Sequence, residues 1–174
     1  EYTAVDNAVS VSGPLSFCSG DSVTLTASGG PLNNYTYLWS SGETTQSVTL
    51  SVPGTYSAII TSADGCVDTT AIYTTTVFAD PDTSVSASGS LDFCAGGSVT
   101  LTAASGQSYL WSTGDTTQSI TSNTTGTYSA VVTTSNGCTS NTATYSTTVF
   151  ADPDTSISVN QTLFCASDSA MLKA

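Results

Sequence analysis

Basic residues are nearly missing from this sequence. Among its 174 residues there is no His, and Lys173 is the one base, set against 13 Asp and Glu for a formal net charge of −12. Nucleic acids and anionic lipid surfaces are bound through clusters of Lys and Arg, so the composition excludes both kinds of partner. General acid–base or nucleophilic catalysis needs a base beside its nucleophile, and only carboxylates remain here. We therefore predict that the chain is not an enzyme.

Long hydrophobic runs are missing as well. No apolar stretch approaches the roughly 18–20 residues that span a bilayer, and Glu1-Tyr2-Thr3 lacks the basic start and apolar stretch of a signal peptide. Only 8% of the residues are charged, and Ser and Thr fill most of the positions where Lys and Glu are usual. We expect a soluble chain without membrane insertion, either mature or a fragment.

The five cysteines stand in a chain that has no His and no Cys-x-x-Cys pair. This pattern favours disulfides over a zinc site. Disulfides persist in oxidising compartments. The expected location is therefore secreted or on the extracellular cell surface.

An internal repeat organises the chain. The segment from Val77 to Ser84 recurs unchanged from Val149 to Ser156, an offset of 72 residues. The same offset relates three further pairs of residues: Trp39 with Trp111, Tyr56 with Tyr128, and Cys66 with Cys138. Upstream the offset is 76, which relates Cys18 to Cys94, because the first copy has four extra residues around 31–34. We place this insertion in a loop.

A third copy begins at Asp154 and continues through Leu163-Phe164-Cys165 to Leu172. We divide the chain into a first module at 1–79, a second at 80–151, and the start of a third, truncated module at 152–174. The linkers between modules have the sequence Ala-Asp-Pro-Asp, whose Pro81 and Pro153 are expected to limit flexing.

Short alternating segments predict an all-β fold. Val23, Leu25 and Ala27 alternate with Thr, and further strands are predicted at 35–39, 48–52 and 56–60. Turns rich in Gly, Asn and Asp cut each module into roughly seven strands, which is the spacing of a two-sheet sandwich. No stretch shows helical periodicity of useful length.

Three motifs of the first module resemble the immunoglobulin domain. Gly20–Ala27 resembles strand B, Tyr37-Leu38-Trp39 the Trp of strand C, and Gly54–Ala58 the tyrosine pattern of strand F, with Ala27 and Ala58 at the usual cysteine positions. The Phe-Cys-x-Gly, Tyr-Leu-Trp-Ser, Gly-Thr-Tyr-Ser and Gly-Cys motifs resemble the tandem Ig-like and gliding-adhesin repeats of secreted Bacteroidetes proteins. The resemblance implies tandem immunoglobulin-like β-sandwich modules with a structural or adhesive role at a bacterial cell surface.

The topology implied by this resemblance bears on cysteine pairing. It puts Cys18 before strand B and Cys66 after strand F, at opposite ends of a module, roughly 25 Å apart for an eight-residue strand. A disulfide needs Cα atoms within about 7 Å of each other. In a head-to-tail array the lower end of the first module would abut the upper end of the second, so we favour Cys18 with Cys138. This pairing leaves Cys66 for a preceding module and Cys94 and Cys165 for following ones. The alternative pairs Cys18 with Cys66 and Cys94 with Cys138, and leaves Cys165 unpaired.

Three further groups of residues are candidates for structural or functional roles. The predicted core anchors are the large aromatic residues Trp39, Trp111, Tyr56 and Tyr128. The linker carboxylates are either Ca²⁺ ligands or solvated turn residues: Asp80, Asp82, Asp152 and Asp154. Four hydroxyl residues follow an Asp, as in the O-glycosylation motif associated with secreted Bacteroidetes proteins: Ser22, Thr69, Thr116 and Ser169.

Two functions remain open at this point. The first is a structural or adhesive repeat array of an extracellular bacterial surface adhesin or filament, a rigid disulfide-stapled stalk that contacts neighbouring modules or lateral copies. The second is a set of accessory glycan-binding modules of a secreted hydrolase, in which exposed tyrosines such as Tyr35 or Tyr73 stack on a sugar ring. In neither case does the sequence identify the surface or glycan ligand.

Overall fold

The computed structural model describes residues 4–29, 34–153, 155–159 and 172–173, and within these ranges the regular structure is β-strand alone. The strands of the first repeat are β1 (Asp6–Val11), β2 (Ser16–Cys18), β3 (Val23–Gly29), β4 (Tyr35–Trp39), β5 (Ser47–Leu50), β6 (Gly54–Tyr56), β7 (Ala58–Ser62), β8 (Val67–Thr69) and β9 (Tyr73–Phe78). Those of the second repeat are β10 (Val85–Ala87), β11 (Asp92–Cys94), β12 (Val99–Ala103), β13 (Ser108–Trp111), β14 (Ser119–Ser122), β15 (Gly126–Tyr128), β16 (Ala130–Thr133), β17 (Thr139–Asn141) and β18 (Tyr145–Phe150). Two short strands follow, β19 (Ser158–Val159) and β20 (Leu172–Lys173).

Alternation of apolar and hydroxyl residues builds the first sheet of the first repeat. In β3, the side chains of Val23, Leu25 and Ala27 are buried, and the threonines between them are partly exposed. β3 pairs antiparallel with β1 on one side and β5 on the other. On the outer face the hydroxyls of Thr24 and Thr49 lie 3.1 Å apart in a cross-strand hydrogen bond. The sheet therefore has one apolar face and one hydroxyl-lined face.

The opposing sheet contains a β-bulge that divides two of its strands. The strand order is β4-β7-β8 in one part and β2-β9-β6 in the other. Tyr56 pairs with Tyr73, but Ile59 pairs with Thr69, so three residues on one side face two on the other. The segment between β8 and β9 thus has one extra residue, and the strand pairing is interrupted opposite it, at Ser57. β6 with β7, and β8 with β9, each act as one interrupted strand.

A single hydrophobic core lies between the two sheets and includes residues of β2 to β7. Trp39 is 1% exposed, and its indole Nε1 donates a hydrogen bond to the Thr45 carbonyl over 2.9 Å. The Tyr56 hydroxyl donates to the carbonyl of Val52, four residues upstream, over 3.3 Å. This contact is the tyrosine corner of immunoglobulin domains.

The strand pairing makes the first repeat an immunoglobulin-like sandwich. β1, β3 and β5 correspond to strands A, B and E, and β4, β6–β7 and β8–β9 correspond to C, F and G. β2 pairs in parallel with β9. Ala27 and Ala58 are 0% and 1% exposed in the core, at the positions where antibody domains carry the disulfide between the sheets.

The second repeat has the same topology. Its sheets have the orders β10-β12-β14, β13-β16-β17 and β11-β18-β15, and β11 pairs in parallel with β18. Trp111 is 2% exposed and donates to the Thr117 carbonyl over 2.8 Å. Thr142 takes the place of Thr70 at the bulge, and each hydroxyl accepts a hydrogen bond from an alanine amide over 2.9 Å.

Two predicted strand boundaries were wrong. The strand predicted at 48–52 ends at Leu50, and Val52 is 58% exposed because the chain there turns toward the tyrosine corner. The strand predicted at 56–60 begins at Gly54 and is interrupted at Ser57 by the bulge. The insertion expected around 31–34 falls almost entirely outside the described residues.

The chain divides into two compact units, one of Glu1–Pro81 with Thr133–Ser140 and the other of Asp82–Val132 with Asn141–Ala174. In the third copy, Val159 pairs with Leu172. Their sequence equivalents Ala87 and Leu101 pair in the second repeat. The described residues include no helix of the length and apolarity needed to cross a membrane.

Candidate functional site

The short strand β2 positions Cys18. Phe17, next to it, is 7% exposed and packs in the first core, and the parallel pairing with β9 places Cys18 opposite Phe78. The chain then turns away, since the Ser19 amide donates to the Phe78 carbonyl over 2.9 Å and the Asp21 amide donates to the Cys18 carbonyl over 3.1 Å. Because side chains alternate along a strand, the burial of Phe17 leaves Cys18 partly exposed.

A tight loop between β16 and β17 positions Cys138. The Gly137 amide donates to the Thr134 carbonyl over 3.0 Å, and the Thr134 amide donates to the Cys138 carbonyl over 2.9 Å. The Cys138 amide in turn donates to the Thr134 hydroxyl over 3.2 Å. Gly137 has a φ of +85°, which favours glycine at this point of the turn. These hydrogen bonds therefore fix the backbone conformation at Cys138.

A disulfide joins Cys18 to Cys138, with the sulfurs 2.01 Å apart and the Cα atoms 5.6 Å apart across a sequence separation of 120. This pairing is the one that we favoured from the sequence. The alternative, Cys18 with Cys66 and Cys94 with Cys138, is wrong because Cys18 and Cys138 are bonded to each other. In the sequence the bond connects the first copy of the repeat to the second.

Cys66 and Cys94 carry free thiols, partly buried at Cys66 and exposed at Cys94. Their predicted bonds to a preceding and a following module remain predictions, and Cys165 lies outside the described residues. Cys138, by contrast, is 1% exposed in its disulfide.

The sequence interpretation missed the hydroxyl residues that hold the cysteine loops. Ser62 accepts a hydrogen bond from the Cys66 amide over 3.1 Å, as Thr134 does from Cys138. Ser and Thr are so frequent in this chain that neither stands out. The signal was the spacing in these two loops. In both, a hydroxyl residue lies four positions before the cysteine and a Gly lies directly before it.

The four predicted core anchors are all buried in the two cores. The Tyr128 hydroxyl lies 2.9 Å from the Ser122 hydroxyl and 3.2 Å from that of Thr124. Hydrogen bonds from Ser122, and then from Thr124, hold the pKa of Tyr128 below its usual 10.0. At Tyr37, burial is the main cause that raises the pKa of the hydroxyl.

The linker carboxylates form no metal-binding group within the part of the chain that the structure describes, where no cluster of three or more Asp, Glu, His or Cys occurs. Asp82 instead accepts a hydrogen bond from the Ser84 amide over 2.9 Å, as a turn residue does. Asp80 and Asp152 are exposed, and Asp154 lies outside the described residues. The Ca²⁺ hypothesis therefore has no structural support at the described positions.

Three of the four candidate O-glycosylation residues are exposed: Ser22, Thr69 and Thr116. Ser169 lies outside the described residues. Exposure makes the three hydroxyls accessible to modification, and their glycosylation remains a prediction.

No protein-family model matches the chain, and no curated protein does. Solved structures with a similar backbone include murine CEACAM1b, at 12% identity over 79% of this chain and 96% of that one, with a TM-score of 0.37. The C-terminal 282-residue fragment of intimin, in complex with the intimin-binding domain of its translocated receptor, is 17% identical over 88% of this chain and 66% of that one, with a TM-score of 0.48. The fibronectin(III)-like modules of Clostridium thermocellum CbhA are 11% identical over 83% and 94%, with a TM-score of 0.37. At this level of similarity, the assignment of the fold rests on the strand pairing of this chain alone.

Proposed function

We propose that the chain is a segment of a structural or adhesive repeat array, acting as a disulfide-stapled stalk in an extracellular bacterial surface adhesin or filament. The Cys18–Cys138 disulfide is the observation that carries this proposal. Neither repeat contains a basic residue, so the acidic, hydroxyl-rich composition leaves only carboxylates as candidate catalytic bases. The covalent connection between copies of the repeat is thus the distinctive chemistry of the chain.

The disulfide changes how the chain bears tension. Force applied at the two termini passes from Cys18 to Cys138 through the sulfur–sulfur bond, so the residues between them carry none of it. These residues contain seven strands of each repeat and the larger part of both cores. A stalk of this kind resists extension even when its hydrogen bonds yield. The bond also fits an oxidising extracellular location.

Single-molecule stretching from the two termini tests the proposal. The intact chain is expected to stop extending early, whereas a reducing agent should add about 400 Å of contour length, because the separation of 120 residues opens at about 3.3–3.6 Å per residue. The double variant Cys18→Ser/Cys138→Ser should show the long extension without reductant, and Cys94→Ser should behave as the intact chain does. Equal extension before and after reduction would contradict the stalk function.

The glycan-binding alternative has less support. Tyr35 and Tyr73, which the sequence suggested as exposed stacking residues, are partly buried and pack against the first core. The Tyr35 hydroxyl itself is buried. A sugar ring stacks on an accessible aromatic face, and these two side chains are only partly exposed.

A further inference from the structure

Ser122 occupies a core position of the second repeat at which the first repeat has a leucine. It lies opposite Val99 in the pairing of β12 with β14. Leu50 lies opposite Val23 in the equivalent pairing of β3 with β5. Both side chains are buried, with Ser122 3% and Leu50 4% exposed. Ser122 is therefore a polar residue at an apolar position of the repeated fold.

The hydroxyls of Ser122, Thr124, Tyr128 and Thr147 form one group, which we call the hydroxyl cluster. The Ser122 hydroxyl lies 2.9 Å from that of Tyr128 and 3.4 Å from that of Thr147. The Thr124 hydroxyl lies 3.2 Å from that of Tyr128. The Thr147 hydroxyl also donates to the Thr124 carbonyl over 2.6 Å. Because β14 belongs to one sheet and β15 and β18 to the other, the cluster connects strands of both sheets.

The same end of the first repeat is apolar. Leu50 belongs to the first hydrophobic core together with Phe17, which is 7% exposed. Phe93, the equivalent of Phe17, is only partly buried in the second repeat. The two repeats share a topology and differ here in how much apolar surface they bury.

This difference lowers the free energy of opening at the hydroxyl cluster. Water that reaches a hydroxyl forms new hydrogen bonds with it, which offsets most of the bonds lost when the cluster separates. Water gives no such compensation to an exposed leucine. Segments that bury few apolar groups open at a lower free energy than the rest of a domain.

We propose that the hydroxyl cluster is the site of a local opening, in which β18 separates from β11 and β15 while the half of the core around Trp111 stays closed. The closed half contains β13, β16 and β17, and so includes the loop of Cys138. The opening therefore admits water to one end of the second repeat and leaves the disulfide in place. It occurs in the chain at rest, so this inference goes beyond the proposed stalk function and needs no applied force.

Hydrogen exchange at two matched amides tests the inference. The Thr148 amide on β18 donates to the Leu91 carbonyl over 3.0 Å. The equivalent Thr76 amide on β9 donates to the Leu15 carbonyl over 2.9 Å. Both amides follow a threonine and precede a valine, so their exchange rates in an unfolded chain are matched. By NMR, Thr148 should exchange at least about tenfold faster than Thr76, a difference of about 1.4 kcal/mol in the free energy of opening.

A third amide distinguishes local opening from unfolding of the whole repeat. The Thr142 amide donates to the Ala130 carbonyl over 2.8 Å, in the half of the repeat that is proposed to stay closed. After correction for intrinsic rates, Thr142 should exchange at least about tenfold more slowly than Thr148. Equal protection of Thr142 and Thr148 would show that the repeat opens as one unit and would overturn the inference. Equal protection of Thr148 and Thr76 would overturn it as well.

Variants at the cluster assign the opening to it. Ser122→Leu introduces the residue of the first repeat and should slow exchange at Thr148 toward the rate at Thr76. Thr121→Val is the matched control, because Thr121 is the neighbour of Ser122 on β14 and is exposed. This control should leave the exchange of Thr148 unchanged. The same rate at Thr148 in both variants would mean that the cluster does not cause the opening.

The reciprocal variant keeps the test decisive if a leucine does not fit at position 122. Leu50→Ser should speed exchange at Thr76 and leave Thr70 slow, since the Thr70 amide donates to the Ala58 carbonyl in the other half of the first repeat. Equal acceleration at Thr76 and Thr70 would contradict a local opening. The stretching experiment depends on Cys18 and Cys138, so the stalk function and this opening can fail separately.

Discussion

At the scale of single residues, hydroxyl groups do much of what charged side chains do in other proteins. Only 8% of the residues are charged. The hydroxyls of Thr26 and Ser47 bond across the outer face of a sheet over 2.8 Å, as do those of Thr102 and Ser119 over 2.9 Å. Such pairs stabilise neighbouring strands without a net charge. The outer faces of the sheets are therefore polar and cross-linked by hydrogen bonds without Lys or Arg side chains.

Asp6 offers a test of one such hydroxyl. Its carboxylate accepts hydrogen bonds from the Ser28 hydroxyl over 2.6 Å and the Ala8 amide over 3.0 Å. These bonds, with Ser28 the larger cause, lower the pKa of Asp6 below 3.8. A lowered folded-state pKa contributes stability that is present above the unfolded value and is lost as pH falls through the folded value.

We predict that Ser28→Ala raises the pKa of Asp6 toward 3.8 and reduces the loss of stability in acid that this group causes. The measurement is a titration of the Asp6 carboxyl by NMR, together with unfolding at several acidic pH values. Ser10→Ala is the matched control, because the Ser10 hydroxyl bonds the Thr26 carbonyl and does not contact Asp6. An unchanged Asp6 pKa in Ser28→Ala would contradict the assigned cause.

At the scale of elements, the bulge between β8 and β9 depends on Thr70. Its hydroxyl accepts a hydrogen bond from the Ala58 amide over 2.9 Å, and its own amide donates to the Ala58 carbonyl over 2.9 Å. Thr70 is 5% exposed. The side chain therefore supplies the acceptor that the interrupted ladder no longer offers to a buried amide.

We predict that Thr70→Val lowers the free energy of unfolding by about 1–3 kcal/mol, because the isosteric side chain leaves the buried Ala58 amide without an acceptor. Thr74→Val is the control on the neighbouring strand, since Thr74 is exposed. Denaturant unfolding followed by circular dichroism gives both values. Equal effects of the two substitutions would show that the Thr70 hydroxyl has no special role in the ladder.

At the scale of the whole molecule, one disulfide closes a loop with a sequence separation of 120. A cross-link over so long a stretch strongly restricts the unfolded chain. Cys66 and Cys94 are free and add no such restriction. Among the four cysteines that the structure describes, the contribution of covalent bonding to stability should therefore come from Cys18 and Cys138.

We predict that Cys18→Ser/Cys138→Ser lowers the free energy of unfolding by about 2–5 kcal/mol. The double variant Cys66→Ser/Cys94→Ser keeps the same number of thiol replacements and should change it little. Both are compared with the unsubstituted chain by denaturant unfolding, with and without reductant. A similar loss in both variants would mean that lost thiol packing, rather than the disulfide, causes the effect.

The sequence by itself determined the all-β class, the repeat and the inward positions, because residues alternate along a strand whatever their partners are. Val23, Leu25 and Ala27 were predicted to alternate with threonines along a strand on that basis, and all three are buried. The interruption at Ser57 was not predicted, because a bulge depends on how two strands align and not on either strand alone.

The tertiary structure alone decided which cysteines bond. The repeat gives each cysteine several equivalent partners, and the sequence could rank the pairings only through an assumed topology. A disulfide forms where two Cα atoms come within bonding range, and that distance is 5.6 Å for Cys18 and Cys138. Alternation along a strand determines which face of the sheet a side chain lies on, whereas the packing of the whole chain determines which residues it contacts.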